Sequence, residues 1–146
     1  MRQLYLLDNS VTQRIHRSEA VAQAVAALLM TGDLASCLPQ VLEEGFSARG
    51  ATEHQAILRA NHEGKVFLPP DSQVADIACE LQASLFEQGH GRAVGVSDLQ
   101  IAATAIRYSH DHQWVTVVHY DHDFDHLGHV APELRTQWIV PAGSVD

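Results

Sequence analysis

Cysteine is scarce in this chain of 146 residues, which contains only Cys37 and Cys79. Both lie in apolar stretches, so we interpret them as buried free thiols and do not expect a disulfide. They do not form a closely spaced pair, which argues against a cysteine-based metal site. A chain of this length can bury a sufficient apolar core without such cross-links, and we expect one domain spanning residues 1–146.

Long apolar runs are also missing. No segment approaches the ~20 apolar residues that a membrane-spanning helix needs. The apolar run of the N-terminal segment MRQLYLLDNS ends at Asp8, which is too early for a signal peptide. We therefore interpret this segment as a buried strand, and we expect a cytoplasmic protein that has no membrane partner.

Positively charged residues are also scarce. The chain has 9 Lys and Arg against 18 Asp and Glu, which gives a formal net charge of −9. This balance argues against loose, charge-driven binding of nucleic acid, which needs a basic face. It leaves open an RNA-cutting protein whose carboxylates hold divalent cations, since the cations supply the missing positive charge. Part of the acidity also suits a basic partner protein.

Apolar runs alternate with helical patterns along the chain. The expected strands are residues 3–7, 34–37, 66–69, 114–120 and 137–143. The expected helices are residues 11–17, 19–31, 39–49, 51–63, 71–88 and 98–109, the last capped by Ser97. The segment 121–129 is expected to be a loop with one helical turn. Strands that alternate with helices predict an α/β fold, in which helices cover both faces of a parallel sheet.

Acidic residues fall where this fold gathers its strand ends. Asp8 ends the first strand, Asp98 begins a helix, and Asp121 follows the strand WVTVVH. Ligands of parallel sheets bind beyond the carboxyl ends of the strands, so these acids can converge on one edge. Clustered carboxylates without Cys or His suit Mg²⁺ or Mn²⁺ and a metal-dependent phosphodiesterase.

Each acid also has a simpler interpretation. Asp8 can be only a helix cap, and Glu43 can be a solvated helix residue like Glu44. Asp98 can be an ordinary acid in a first helical turn. The acids of the segment around Asp121 can belong to a polar loop. No single acid is decisive from its position alone.

Four segments taken together carry a family resemblance: YLLDNS, LEEGFSAR, SDLQIAATA and VVHYDHDF, in that order. They resemble the motifs of PIN domains, and most of all those of the VapC toxins of toxin–antitoxin pairs. The closing QWIVPAG is similar to the end of many such chains. The resemblance covers the chain from Leu4 to Gly143, and its most specific pieces are SDLQIAATA and HYDHDF.

This resemblance implies a three-layer α/β/α fold with a central parallel sheet of four or five strands. It also implies a homodimer, a Mg²⁺ or Mn²⁺ site, ribonuclease activity on RNA and inhibition by a VapB-like antitoxin. The residues that match the family's catalytic and metal-binding acids are Asp8, Glu43, Asp98 and Asp121. Ser10 matches the hydroxyl residue that helps to hold the metal or its water, and Asp123 is an alternative ligand. Glu44, beside Glu43, leaves the choice of the helix acid open.

Histidines and arginines supply further candidates. His122, His126 and His129 would share one face of a helix, which raises a weak zinc hypothesis against the simpler interpretation as surface residues. His119 and His122 flank Asp121 and are candidates for contact with RNA.

The few arginines are candidate phosphate contacts, and Arg14 and Arg92 are the main ones. Arg17 and Arg49 are weaker candidates, and Arg59 and Arg135 are expected to be ordinary surface residues.

The leading hypothesis is a Mg²⁺- or Mn²⁺-dependent endoribonuclease that acts as the toxin of a toxin–antitoxin pair. A PIN nuclease of RNA processing has the same chemistry and stays open. A degenerate PIN domain that only binds RNA or protein is the non-enzymatic alternative, and intact acids at all four matched positions count against it. A histidine-rich zinc protein is the last alternative.

Overall fold

The computed structural model describes residues 1–146 and contains five strands and seven helices. The strands are β1 (Arg2–Leu7), β2 (Asp33–Cys37), β3 (Val66–Leu68), β4 (Gln113–His119) and β5 (Arg135–Trp138). The helices are α1 (Asn9–Thr12), α2 (Glu19–Leu28), α3 (Leu38–Phe46), α4 (Ala51–Gly64), α5 (Ser72–Glu87), α6 (Val96–Tyr108) and α7 (Asp123–Val130). None of these helices combines the length and the apolar character needed to cross a bilayer.

All five strands form one parallel sheet in the order β3-β2-β1-β4-β5. The chain builds outward from β1 through β2 to β3, and then returns to the other side of β1 with β4 and β5. The strand order therefore reverses between β1 and β4, where parallel sheets form ligand-binding crevices. The expected parallel α/β sheet is confirmed, with five strands.

The sheet separates two apolar cores because successive residues of a strand point to opposite faces. Leu4 and Leu6 of β1 belong to a core of 20 buried residues that α5, α6 and α7 cover. Tyr5 and Leu7 belong to a smaller core of 8 buried residues under α1 and α2. Both faces of the central strands are thus covered, which gives the three layers of the expected fold.

Several local expectations were wrong. Helix α1 ends at Thr12, and residues 13–17 form turns. Helix α6 begins at Val96 with Gly95 as its N-cap, so Ser97 lies inside the first turn. Strand β5 lies at 135–138, before most of the expected 137–143. Segment 123–130 is a helix of 8 residues, because Phe124 and Leu127 are buried against the larger core.

Cys79 also differs from its expected burial. Cys37 is buried at the end of β2, but Cys79 is exposed on α5. The buried face of α5 consists of Val74, Leu81 and Leu85. Cys79 is five residues beyond Val74, and this spacing turns its side chain away from that face.

The tight approach of Gly32 to β1 generates a stability prediction. A Cβ at this position would lie 2.5 Å from the Gln3 carbonyl oxygen and 2.9 Å from the Tyr5 ring. We expect Gly32→Ala to lower the free energy of unfolding by about 1–3 kcal/mol, since backbone must move to admit the methyl group. Urea denaturation followed by circular dichroism measures the change.

Gly64→Ala is the matched control, because a Cβ at the end of α4 meets nothing within 4 Å. We expect this variant to unfold at the wild-type urea concentration or slightly above it. Equal stability of the two variants would contradict the packing argument.

Candidate active site

Two aspartates flank the point where the strand order reverses. Asp8 directly follows β1, and Asp121 lies two residues beyond the end of β4. These strands are neighbours in register, with Leu7 opposite Val118. Because both strands are parallel, the two side chains reach the same edge of the sheet.

Asp8 is held rigidly and is only 3% exposed. Its backbone N–H donates to the Val118 carbonyl across the sheet at 2.9 Å. Its Oδ2 accepts the Ser10 N–H at 3.1 Å, so Asp8 does cap α1. Its Oδ1 is buried and has no hydrogen-bond donor. The cap therefore occupies one carboxylate oxygen and leaves the other available to a ligand.

Three further aspartates place carboxylate oxygens near Asp8. Asp98, Asp121 and Asp123 form the one group of three potential metal ligands whose ligand atoms all lie within 4.8 Å of one another. Asp121 lies in the turn after β4, where its Oδ1 accepts the Asp123 N–H at 2.9 Å. Asp123, first considered as an alternative ligand, is therefore a full member of this cluster.

Asp98 lies in the first turn of α6 and points into the cluster. Burial raises the pKa of its carboxyl from 3.8 to about 8, and the charges of Asp8, Asp121, Asp123 and Glu43 add to the effect. The pKa of Asp123 is raised for the same reasons, burial first and then the charge of Asp121. A hydrogen bond with Asp98 and the charge of His126 oppose that rise. Both shifts follow from like charges crowded together away from water.

Glu43 is the helix acid that faces this cluster. Burial raises its pKa, followed by the charges of Asp8 and Asp121. Its Oε2 is buried without a hydrogen-bond donor, like Oδ1 of Asp8. Helix α3 begins directly after β2, and this fixes Glu43 over the same edge of the sheet.

Glu44 points the other way, toward α4. Its Oε2 accepts from Gln40 Nε2 at 2.9 Å and from Asn61 Nδ2 at 3.3 Å. Lys65 Nζ lies 4.0 Å from the same oxygen. Gln40 and Asn61 are both buried, so this network fastens α3 to α4. The geometry thus assigns Glu43 to the cluster and Glu44 to the packing of the two helices.

These carboxylates fit a divalent cation. None of the ion pairs of the chain includes a member of the cluster, which consists of Asp8, Glu43, Asp98, Asp121 and Asp123. Two of its oxygens are buried and lack a donor. Hard cations such as Mg²⁺ and Mn²⁺ take this kind of all-oxygen ligand set.

His119 has a role that the sequence did not reveal. It is fully buried, and its ring packs on Phe124 and Trp138 with both ring centroids 4.9 Å away. Its Nδ1 accepts the Asp121 backbone N–H at 3.3 Å. Burial lowers the pKa of this imidazole, although the nearby acids oppose the effect, Asp125 first. His119 is therefore inaccessible to RNA, contrary to expectation, and instead positions Asp121.

The other histidines do not form the zinc site suggested by their spacing. His122 contacts Trp138 and Asp125, whereas His126 packs against His90 with ring centroids 5.8 Å apart. The helix α7 thus presents these two histidines to different neighbours. The structure favours surface histidines over a three-histidine metal centre.

The accessory candidates Ser10 and Arg14 contact other residues of the chain, whereas Arg92 is exposed. Ser10 Oγ accepts the Tyr120 N–H at 2.8 Å and so joins α1 to the turn that carries Asp121. Arg14 donates to the Ser10 carbonyl at 2.6 Å and to the Asp146 carbonyl at 2.8 Å, and it covers the Tyr120 ring. These contacts favour a structural role for Arg14. Arg92 is exposed and remains a candidate phosphate contact.

Comparison with known proteins agrees with this geometry. A family model of the PIN domain matches residues 5–130. Ribonuclease VapC21 of Mycobacterium tuberculosis (strain ATCC 25618 / H37Rv) is 32% identical over 140 residues, covering 96% of each chain. Ribonuclease VapC51 of the same strain is 34% identical over 151 residues, covering 97% of each chain.

Solved structures share the fold at lower identity. The VapBC2 structure of Rickettsia felis, bound to a DNA fragment from its promoter, matches with a TM-score of 0.71 at 16% identity, over 92% of this chain and 97% of that one. The DNA-bound VapBC structure of Salmonella typhimurium matches with a TM-score of 0.71 at 17% identity, over 96% of this chain and 100% of that one. Given the family match and the full-length relatives, this chain belongs to the PIN domain family and, within it, to the VapC ribonucleases.

Proposed function

We propose that this protein is a Mg²⁺- or Mn²⁺-dependent endoribonuclease that hydrolyses RNA phosphodiester bonds with an activated water. The observation that carries the proposal is the cluster of five carboxylates at the sheet's carboxyl edge, which has no cationic side chain paired to it. Such a cluster repels a phosphate until cations bind to it. The metal requirement thus follows from electrostatics.

In this proposal, Asp8, Glu43, Asp98 and Asp121 are the catalytic acids that hold the cation, and Asp123 assists them. When bound, Mg²⁺ or Mn²⁺ would neutralise phosphate charge and would lower the pKa of a water, which favours its deprotonation to the attacking nucleophile. Asp8 offers its unpartnered Oδ1 from a fixed backbone position, and Glu43 offers Oε2 from α3. Ser10 and His119 act indirectly, because they hold the turn that carries Asp121.

We also propose that the protein is the toxin of a toxin–antitoxin pair and that a VapB-like antitoxin inhibits it. The relatives at 32% and 34% identity are named VapC ribonucleases, and the matched solved structures are VapBC assemblies. A nuclease of RNA processing would use the same site. A small antitoxin gene beside this one would separate the two roles.

The chemistry is tested by RNA cleavage. We expect Asp98→Asn to lower cleavage of total RNA by about a hundredfold or more, since the cation loses a carboxylate ligand. The wild type should lose activity in EDTA and regain it with Mn²⁺. Mapping of cut ends distinguishes specific products from degradation, and undiminished cleavage by the variant or in EDTA would end the proposal.

The same variant should separate activity from stability. The pKa of Asp98 in the folded protein, about 8, lies above its ordinary value of 3.8. The unfolded chain therefore ionises Asp98 first, so folding stability falls as pH rises from about 4 to about 8. In EDTA, we expect Asp98→Asn to melt at a higher temperature than the wild type at pH 8, with a smaller difference at pH 5. A lower melting temperature at pH 8 would contradict this expectation.

Adjacent glutamates provide a matched pair of variants. We expect Glu43→Gln to lose RNA cleavage while it keeps its stability, because its carboxylate faces only other acids. We expect Glu44→Gln to lose about 1–3 kcal/mol of stability, because its carboxylate anchors Gln40 and Asn61. Urea denaturation and RNA cleavage on both proteins test the assignment, and exchanged phenotypes would mean that Glu44 is the catalytic acid.

We further propose that residues 1–146 form one PIN domain and that the protein is a homodimer. Large apolar side chains lie exposed on the helices, including Leu42 at 60% and Phe46 at 92% of α3. Leu38, which is 42% exposed, precedes them on the same side of α3 at a spacing of four residues, and a contiguous apolar patch of this kind marks an interaction surface. Sedimentation equilibrium at micromolar concentration should give twice the mass of the chain, and the mass of one chain would contradict the dimer.

A further inference from the structure

A second concave surface lies beside the acidic cluster, and we call it the histidine cleft. Its volume is about 460 Å³, and it is lined by Leu85, Gln88, His90, His126, His129 and Val130. Three of the six side chains are imidazoles, and none is a carboxylate. Imidazoles thus make up half of this lining, although the chain has a net charge of −9. An RNA strand therefore meets less electrostatic repulsion in the cleft than over most of this acidic chain.

The fold presents His90 in a fixed position. Helix α5 ends in a turn in which Gly89 has a φ of 77°, and the His90 N–H donates to the Leu85 carbonyl at 2.8 Å. The Ala93 N–H then donates to the His90 carbonyl at 3.0 Å. At Gly91, a Cβ would lie 2.4 Å from the Phe86 ring, so a larger residue would have to displace that ring. These backbone hydrogen bonds thus hold the loop that carries His90.

Helix α7 connects the cleft to the acids. It carries Asp123 in its first turn and His126 three residues later, about 4.5 Å along the helix axis. The charge of His126 acts on Asp123, so the two groups lie close together. Buried Phe124 and Leu127 fix the orientation of the helix. A strand with one phosphate at the acids can therefore place a neighbouring nucleotide in the cleft.

We propose that the histidine cleft binds a base of the RNA substrate next to the scissile phosphate. The base stacks on the exposed imidazole faces of His90 and His126, and the Gln88 carboxamide lies within the cleft to meet a base edge. Proteins recognise single-stranded RNA in this way, by stacking on aromatic side chains that include histidine. The volume of the cleft falls within the range of small-ligand sites, about 300–1,000 Å³. This inference rests on the proposed ribonuclease function.

A base is favoured over a metal ion as the occupant. The rings of His90 and His126 lie 5.8 Å apart at a tilt of 32°, and both side chains are exposed. These histidines are also absent from the group of side chains whose ligand atoms lie within 4.8 Å of one another. Stacking accepts any base, so the cleft adds affinity for single strands without dictating a sequence.

The experiment separates binding from chemistry. Binding of a fluorescein-labelled single-stranded RNA of about 12 nucleotides, a length within the usual site sizes, is measured by anisotropy with Mg²⁺ in the Asp98→Asn background, in which cleavage is expected to be slow. We expect His90→Ala combined with His126→Ala to weaken binding by about tenfold. The substitution His126→Phe should retain most of the affinity, because it keeps an aromatic face. In the otherwise wild-type chain, the double variant should raise KM for RNA and leave kcat nearly unchanged.

The matched control is a second pair of exposed histidines, His110 and His112, whose rings lie 6.5 Å apart at the other end of the sheet. Replacing both with Ala should leave RNA binding unchanged. Wild-type affinity in the His90 and His126 double variant would overturn the inference. Equal weakening by His126→Phe and His126→Ala would overturn stacking, and so would binding that requires added Zn²⁺. Undiminished cleavage by Asp98→Asn would instead refute the proposed metal-dependent mechanism. The failure of that proposal and the failure of this inference are therefore distinguishable.

Discussion

Repulsion among carboxylates governs the arrangement of this molecule. Five acids meet at one edge of the sheet, and burial together with their mutual charge raises the pKa of Asp98 to about 8. The like charges of the cluster repel one another, so the scaffold must hold its members together. The Asp8 N–H is tied to Val118, the Tyr120 N–H to Ser10, and the Asp121 N–H to His119. These contacts engage backbone N–H groups, and Oδ1 of Asp8 and Oε2 of Glu43 stay without donors and are available to cations.

Much of this arrangement could be predicted because local sequence pattern determines it. The strands β1 and β4 are buried on both faces, so they appear as short apolar runs that end just before Asp8 and Asp121. Parallel pairing then places both acids at one edge without any knowledge of side-chain contacts. The assignment of Glu43 came instead from the family resemblance. Sequence position alone could not separate Glu43 from Glu44, because that choice depends on how α3 packs against Asn61 of α4.

The features that sequence could not reveal depend on contacts between distant residues. His119 is one of ten histidines, and nothing local marks it as the one buried between Phe124 and Trp138. Helix α7 contains Gly128 and several charged residues, which disfavour a helix locally, yet burial of its apolar residues stabilises it. Cys79 shows the opposite case, in which an apolar neighbourhood in sequence does not place a residue on the buried face of its helix.

The charge of the chain also determines how it can hold RNA. A basic nuclease gains affinity from phosphate contacts along the whole strand. This protein has 9 basic residues, and Arg14 is engaged by the backbone carbonyls of Ser10 and Asp146. Electrostatic attraction is therefore concentrated where cations bind, and much of the affinity elsewhere must come from contacts that do not depend on charge. Stacking on the rings of the histidine cleft is such a contact, and α7 places it one turn from the acids. Because positive charge is scarce in this chain, a surface that binds RNA by stacking complements the cations held by the acidic cluster.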